Sequence, residues 1–299
     1  MKRYSLIALI ALAFAIAMAI TAPSAQAKKS SATPSPSPSP SALPTASPEP
    51  PSVAIPRLVA RLKANPTDQI AMTQLAAEYL QVNRPDVTVQ YTQHLLQLGD
   101  KSAQVFYYDG LAQVQLGNGA AATYDLEQAA NLDPTNLQIL AGLADIYLRQ
   151  NRSADAERVA KRAVTFNKND SGALMTLGSV YASEQHFDDA RAQFEAALAL
   201  SPKDPAPLFQ IATTYAQQDN IPMALQTVGR ALAIDPRSIQ ALVFKADLYA
   251  RQHDDAHTSE AYDDAVVAAP TDDEKVVILI RKASYFISEK KDSQGVAIF

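Results

Sequence analysis

From about residue 53 onward, apolar residues recur at spacings of three and four, in paired blocks divided by short polar breaks. In residues 171–204, Leu174, Leu177, Gly178 and Tyr181 share one face of a first predicted helix, and Ala190, Phe194 and Ala197 share one face of a second. Gly178 and Ala190 are small, so the two helices can approach closely where they cross, with Tyr181 and Phe194 filling the space around them. Pro202 cannot continue the second helix and ends the unit. The pattern predicts an antiparallel helix pair 34 residues long.

The same pair recurs without a gap from Gln69, Ala103, Leu137, Ser171, Pro205 and Ile239. Position 8 reads Ala76, Gly110, Ala144, Gly178, Ala212 and Ala246; position 20 reads Thr88, Ala122, Ala156, Ala190, Ala224 and Thr258. Position 11 is Tyr in every unit but one, where it is Gln113, and position 32 is Pro in four of six. The first unit departs most, with Thr92 and Leu95 where an aromatic and an Ala are expected, and the sixth puts Lys245 in an apolar column. Asn118-Gly119 reads as a tight turn between helices.

Length and signature of these units resemble the tetratricopeptide repeat. The resemblance implies an all-α fold, an α-solenoid in which antiparallel helix pairs stack into a right-handed superhelix. Six full units occupy 69–272, with partial units at either end. A solenoid of this kind grows by stacking and needs no single globular core.

The flanks read differently. Residues 1–27 carry Lys2 and Arg3, an apolar run over 6–20 and the small-x-small site Ala25-Gln26-Ala27, a signal peptide with cleavage expected after Ala27. The run is short for a span of roughly 20 residues; an uncleaved anchor is the other reading. The expected destination is the periplasm or the exterior of a bacterial-type envelope. Residues 28–52 alternate Pro with Ser and predict an extended spacer. Residues 53–68 fit the second helix of an incomplete repeat, capping the stack. After Asp272 the register returns only if three residues are inserted, which brings Ala283 to position 8 and Phe286 to position 11. Residues 273–299 therefore read as a capping helix or a partial repeat.

Composition narrows the chemistry. With no cysteine there is no disulfide, thiolate metal site or cysteine nucleophile. Loss of the leader takes the net charge from −5 to −7, which disfavours nucleic acid and anionic lipid as partners. The sequence holds no nucleophile elbow, phosphate-binding loop or dinucleotide fingerprint. His253 and His257 stand four apart, but at positions 15 and 19, predicted to lie in a turn rather than within one helix; no cofactor or metal is expected.

With positions 4, 7, 8 and 11 facing inward, a step of about 100° turns 2, 5, 6, 9, 12 and 13 toward the other side, which lines the groove of such a stack. Tyr107, Tyr108, Met175, Phe209 and Phe244 supply an apolar lining there, with Asp145, Arg149 and Gln210 among its polar members. Packing against the neighbouring repeat is the competing reading of these aromatics. Some tetratricopeptide domains clamp a C-terminal carboxylate with Lys, Arg and Asn on these faces. Here the matching positions hold mainly Gln, Ala, Tyr, Thr and Asp, so the resemblance points instead to an apolar peptide or protein partner. Two functions follow: an exported, non-enzymatic interaction scaffold in envelope assembly, or an accessory module of an enzyme whose catalytic part lies beyond Phe299.

Overall fold

The computed structural model describes residues 49–289. The expected leader and most of the Pro/Ser stretch lie outside the described residues, as do Gly295 and Phe299. The described chain is fourteen helices and no strand. A short helix α1 (Pro51–Ala64) precedes α2 (Gln69–Gln81), α3 (Pro85–Gln97), α4 (Ala103–Gln115) and α5 (Gly119–Leu132). Then come α6 (Leu137–Arg149), α7 (Ser153–Phe166), α8 (Ser171–Ser183), α9 (Phe187–Leu200), α10 (Ala206–Gln217), α11 (Ile221–Ile234), α12 (Ile239–Arg251), α13 (Asp255–Ala268) and α14 (Asp272–Ser288). They form two compact units, one ending at Asn136 and one starting at Leu137. Within each, consecutive helices pack as pairs, and each pair packs on the next. Among the described residues no helix is long and apolar enough to cross a membrane.

The helix starts are written in the side chains. Asp68, Asp170, Asn220, Ser238 and Asp254 each accept a hydrogen bond from a backbone N–H in the first turn that follows. Pro85 opens α3 and Pro222 is second in α11, where no intrahelical N–H is lost. α1 starts two residues before 53, inside the stretch expected to be spacer, because Pro51 at its first position suits a helix start.

Every repeat closes its inner turn in the same way. Position 15 adopts a left-handed backbone in all six: Asn83, Gly117, Asn151, Gln185, Asp219 and His253, with φ between 56° and 77°. Asn118-Gly119 is therefore not the turn itself: Gly117 makes it, and Gly119 is the first residue of α5. The backbone N–H two residues into α13 likewise corrects the histidine pair. His253 occupies the turn, whereas His257 lies within the first turn of α13, its N–H donating to Asp254 (3.2 Å). Its ring stacks on Tyr249 (4.9 Å).

The core is a set of columns. Position 8 is buried in every repeat, and position 20 is fully buried in every repeat. Positions 3 and 10 are buried in all six as well, whereas the expected inward position 11 is half-buried in most. The crossing at position 8 is tight. A Cβ on Gly178 would lie 2.5 Å from Phe194 Cε1, and one on Gly110 would lie 2.8 Å from Leu126 Cγ.

After α13 the three additional residues are absorbed as helix. α14 gains a first turn closed by a capping box, in which the Thr271 hydroxyl accepts from the Glu274 N–H (3.3 Å) and Glu274 accepts from the Thr271 N–H (3.2 Å). The register that follows is the expected one: Ala283 and Phe286 are buried.

Candidate first-helix face and a buried carboxyl cluster

In the first unit, Tyr107 and Tyr108 follow each other on α4, with ring centroids 5.7 Å apart. Tyr108 is only 7% exposed; it packs on Ala76 and Ala77 of α2, and Gln104 reaches its hydroxyl at 3.5 Å. Two alanines leave the room that a tyrosine fills, so Tyr108 belongs to the packing between repeats rather than to an open surface. Tyr107 is half-buried, and burial, then Tyr108, pushes its phenol up to about 12.

In the second unit the apolar members are also half-buried rather than exposed. Phe209 of α10 and Phe244 of α12 meet at 5.2 Å with rings inclined by 60°, resting on the cluster that includes Ala212, Val228 and Leu248. Met175 of α8 packs at the edge of Ala190, Phe194 and Ile211. Gln210 is half-buried beside Phe209 in sequence. Asp145 and Arg149 are exposed on α6 and pair with each other at 2.7 Å across one helical turn. The face thus grades from packed aromatics at positions 5 and 6 to charged groups at 9 and 13.

Other polar groups expected on that face are claimed by the fold. Arg251 donates to the carbonyl of Ala216 (2.9 Å) and to Asp219 (2.7 Å), clasping the end of α10. Asp247 accepts from the Tyr262 hydroxyl (2.6 Å) and from Arg281 (2.7 Å), tying α12 to α13 and α14. Burial raises the Asp247 carboxyl; Arg281 and Tyr262 hold it down less than burial lifts it. On the second-helix side, a cleft of about 310 Å³ opens between α9 and α11, lined by Glu195, Met223 and Arg230 with Ile211 and Tyr215 of α10.

One cluster escaped the sequence reading. Asp109 of α4 and Asp125 of α5 are 5% and 7% exposed. The Thr92 hydroxyl of α3 donates to Asp109. Asp125 is pushed up to about 7, first by burial, then by the charge of Asp109 and by a hydrogen bond with it. A signal was present: Asp109 sits at position 7, a column that reads Leu75, Leu143, Leu177 and Ile211 in other repeats. Thr92, the odd residue at position 24, is its partner, so the two departures compensate each other. Among the described residues no group of three or more His, Cys, Asp or Glu side chains is placed to hold a metal ion.

Residues 101–243 match the family model of the tetratricopeptide repeat protein 21 C-terminal ARM domain. Among solved structures, the chain is similar to a tetratricopeptide repeat protein from Parabacteroides merdae, at 12% identity and a TM-score of 0.62, over 74% of this chain and 88% of that one. A thermophilic TPR protein of Thermus thermophilus is 21% identical with a TM-score of 0.54, over 60% of this chain and 98% of that one. Yeast Tom70 is 20% identical with a TM-score of 0.56, over 80% of this chain and 59% of its own. At these identities the likeness is one of fold. No curated protein matches the chain.

Proposed function

We propose, from the premise that this chain is a tetratricopeptide-repeat protein, that it is an exported, non-enzymatic scaffold holding a peptide or protein partner along its first-helix face. The observation that carries the reading is the graded face of the second unit. Met175, Phe209 and Phe244 form a half-buried apolar floor, and the Asp145–Arg149 pair stands exposed at 2.7 Å as a polar rim. An apolar floor with a polar rim is the usual make-up of a surface that takes up a partner. Export and the envelope setting rest on the N-terminal sequence: an apolar run over 6–20, followed by the small-x-small site Ala25-Gln26-Ala27. Protein recovered from outside the cytoplasm is accordingly expected to begin at Lys28 by intact mass; a mass that retains Met1 would overturn that part.

Binding is tested on the partner captured from the envelope fraction. Arg149→Glu and Phe209→Ala are expected to weaken its affinity about tenfold or more, a change of about 1.4 kcal/mol. Tyr124→Ala, 60% exposed on the second helix α5, is expected to leave it unchanged. Phe209 also packs on Phe244, so its variant is read beside its melting curve, and Arg149→Glu serves as the variant free of core packing. Equal affinity for wild type and Arg149→Glu, with Phe209→Ala acting only through lost stability, would overturn the groove reading.

A further inference from the structure

The cleft on the second-helix side of the second unit has a volume of about 310 Å³, at the lower end of the range that holds small molecules. Its floor is apolar: Ile211 is 4% exposed, and Tyr215 and Leu198 are half-buried. As the first helix of its repeat, α10 runs antiparallel to α11. Tyr215, one turn after Ile211, therefore lies toward the end where α11 begins and Met223 stands, and Ile211 lies toward Leu198. The rim carries opposite charges that the fold does not use. Glu195 of α9 and Arg230 of α11 are both exposed, and among the described residues neither makes an ion pair or a hydrogen bond. Gln226, one turn before Arg230, makes none either. The counterpart of Glu195 one repeat earlier, Lys161, is instead tied to Glu157 at 2.6 Å.

We propose that this cleft takes up a free dipeptide with apolar side chains, its ammonium toward Glu195, its carboxylate toward Arg230 and its peptide group against the Gln226 amide. Charge selects this class. A simple anion is repelled by Glu195 and a simple cation by Arg230, whereas a ligand bearing both charges is attracted at each end. The Gln226 side chain offers both donors and an acceptor, the two roles that a peptide group complements. The two side chains take the two apolar ends of the floor, one at Tyr215 and Met223, the other at Ile211 and Leu198. The end of a protein chain carries only one of the two charges. A single amino acid has one side chain and no peptide group, so it leaves half of the floor bare. The site lies on the second helices and is independent of what the first-helix face binds.

The test titrates L-leucyl-L-phenylalanine into the full-length protein by calorimetry and follows the methionine methyl groups by NMR. Sub-millimolar binding is expected, the scale of a ligand this small. The Met223 methyl signal should move, while that of Met72, buried in the first unit, stays in place. Acetylating the amino end or amidating the carboxyl end of the probe is expected to weaken binding about fivefold each, the scale of an exposed ion pair. Glu195→Gln should weaken the free dipeptide to the same degree and make acetylation nearly indifferent; Arg230→Gln should do the same for amidation. Both side chains are exposed, so the melt should be preserved in each variant. No binding at millimolar dipeptide would overturn the proposal, as would free and blocked probes that bind alike. A shift at Met175 without one at Met223 would also overturn it, by placing the peptide on the first-helix face and leaving the groove reading intact.

Discussion

Gly178→Leu is expected to cost about 1–3 kcal/mol of stability, with the damage confined to one stretch of the second unit. The β-carbon alone would sit 2.5 Å from Cε1 and 2.7 Å from Cδ1 of Phe194. Phe194 is fully buried against Ala190 and Ile211 and has nowhere to move. Phe194→Ala should cost more, about 3–5 kcal/mol, because it leaves a void where the largest side chain of that crossing stood. Combined, the two should cost clearly less than their sum, since the leucine then enters the space the ring vacated; the shortfall measures their coupling. Hydrogen exchange locates the effect. Protection should fall in α8, α9 and the adjoining α10, while α1–α5 keep theirs, because each repeat is held mainly by its neighbours. Loss spread evenly over all helices would contradict this, and no loss at all would contradict the crossing.

The carboxyl cluster gives the second large effect, through pH. Asp125 titrates near 7 when folded and near about 3.9 when unfolded, so the folded state holds a proton that the unfolded state releases. The sign is fixed by that difference. Stability from this group is complete below about pH 4, declines as pH rises, and levels off above about 7. The slope is at most about 1.4 kcal/mol per pH unit, and the whole decline on the order of 2–4 kcal/mol. What sets it is the burial of Asp125 and then Asp109 on α4, to which the Thr92 hydroxyl of α3 is also bonded. Melting of the wild type and of Asp125→Asn across pH 4–8 is the measurement. The variant should flatten the decline and be the more stable at pH 8. An identical decline in both would show that the pair does not share its proton.

Both effects also mark what sequence could and could not convey. Repetition made the helix pairs legible: one degenerate unit says little, but six residues in column 8, all Ala or Gly, specify a close crossing. The three-residue slip before α14 was legible too, though not its form, since helix and loop absorb three residues equally well until a capping box decides. Burial of columns 3 and 10 did not show because column 11 carries the aromatics, most of which are half-buried while their smaller neighbours are covered. The carboxyl cluster was hidden for another reason. Thr92 read as a lapse from its column and Asp109 stood unremarked in a column of Leu and Ile; only the packing of α3 against α4 joins them. The groove aromatics show the remaining limit: a side chain at position 5 or 6 touches a neighbouring repeat, before it as Tyr108 does or after it as Phe209 does, and one-repeat geometry cannot say how much of it that neighbour covers.

The left-handed residue at position 15 has a consequence for how such a chain can change its length. Five of the six are not glycine, so each turn holds a conformation that L-residues resist, in a loop too short to relax. A residue gained or lost there would turn the second helix by about 100° and carry its buried columns out of line. The junction between units is tolerant, as the extra turn before α14 shows. Recombination can therefore lengthen or shorten this protein in whole repeats while leaving every surviving interface in phase, whereas small insertions persist only at the seams between repeats.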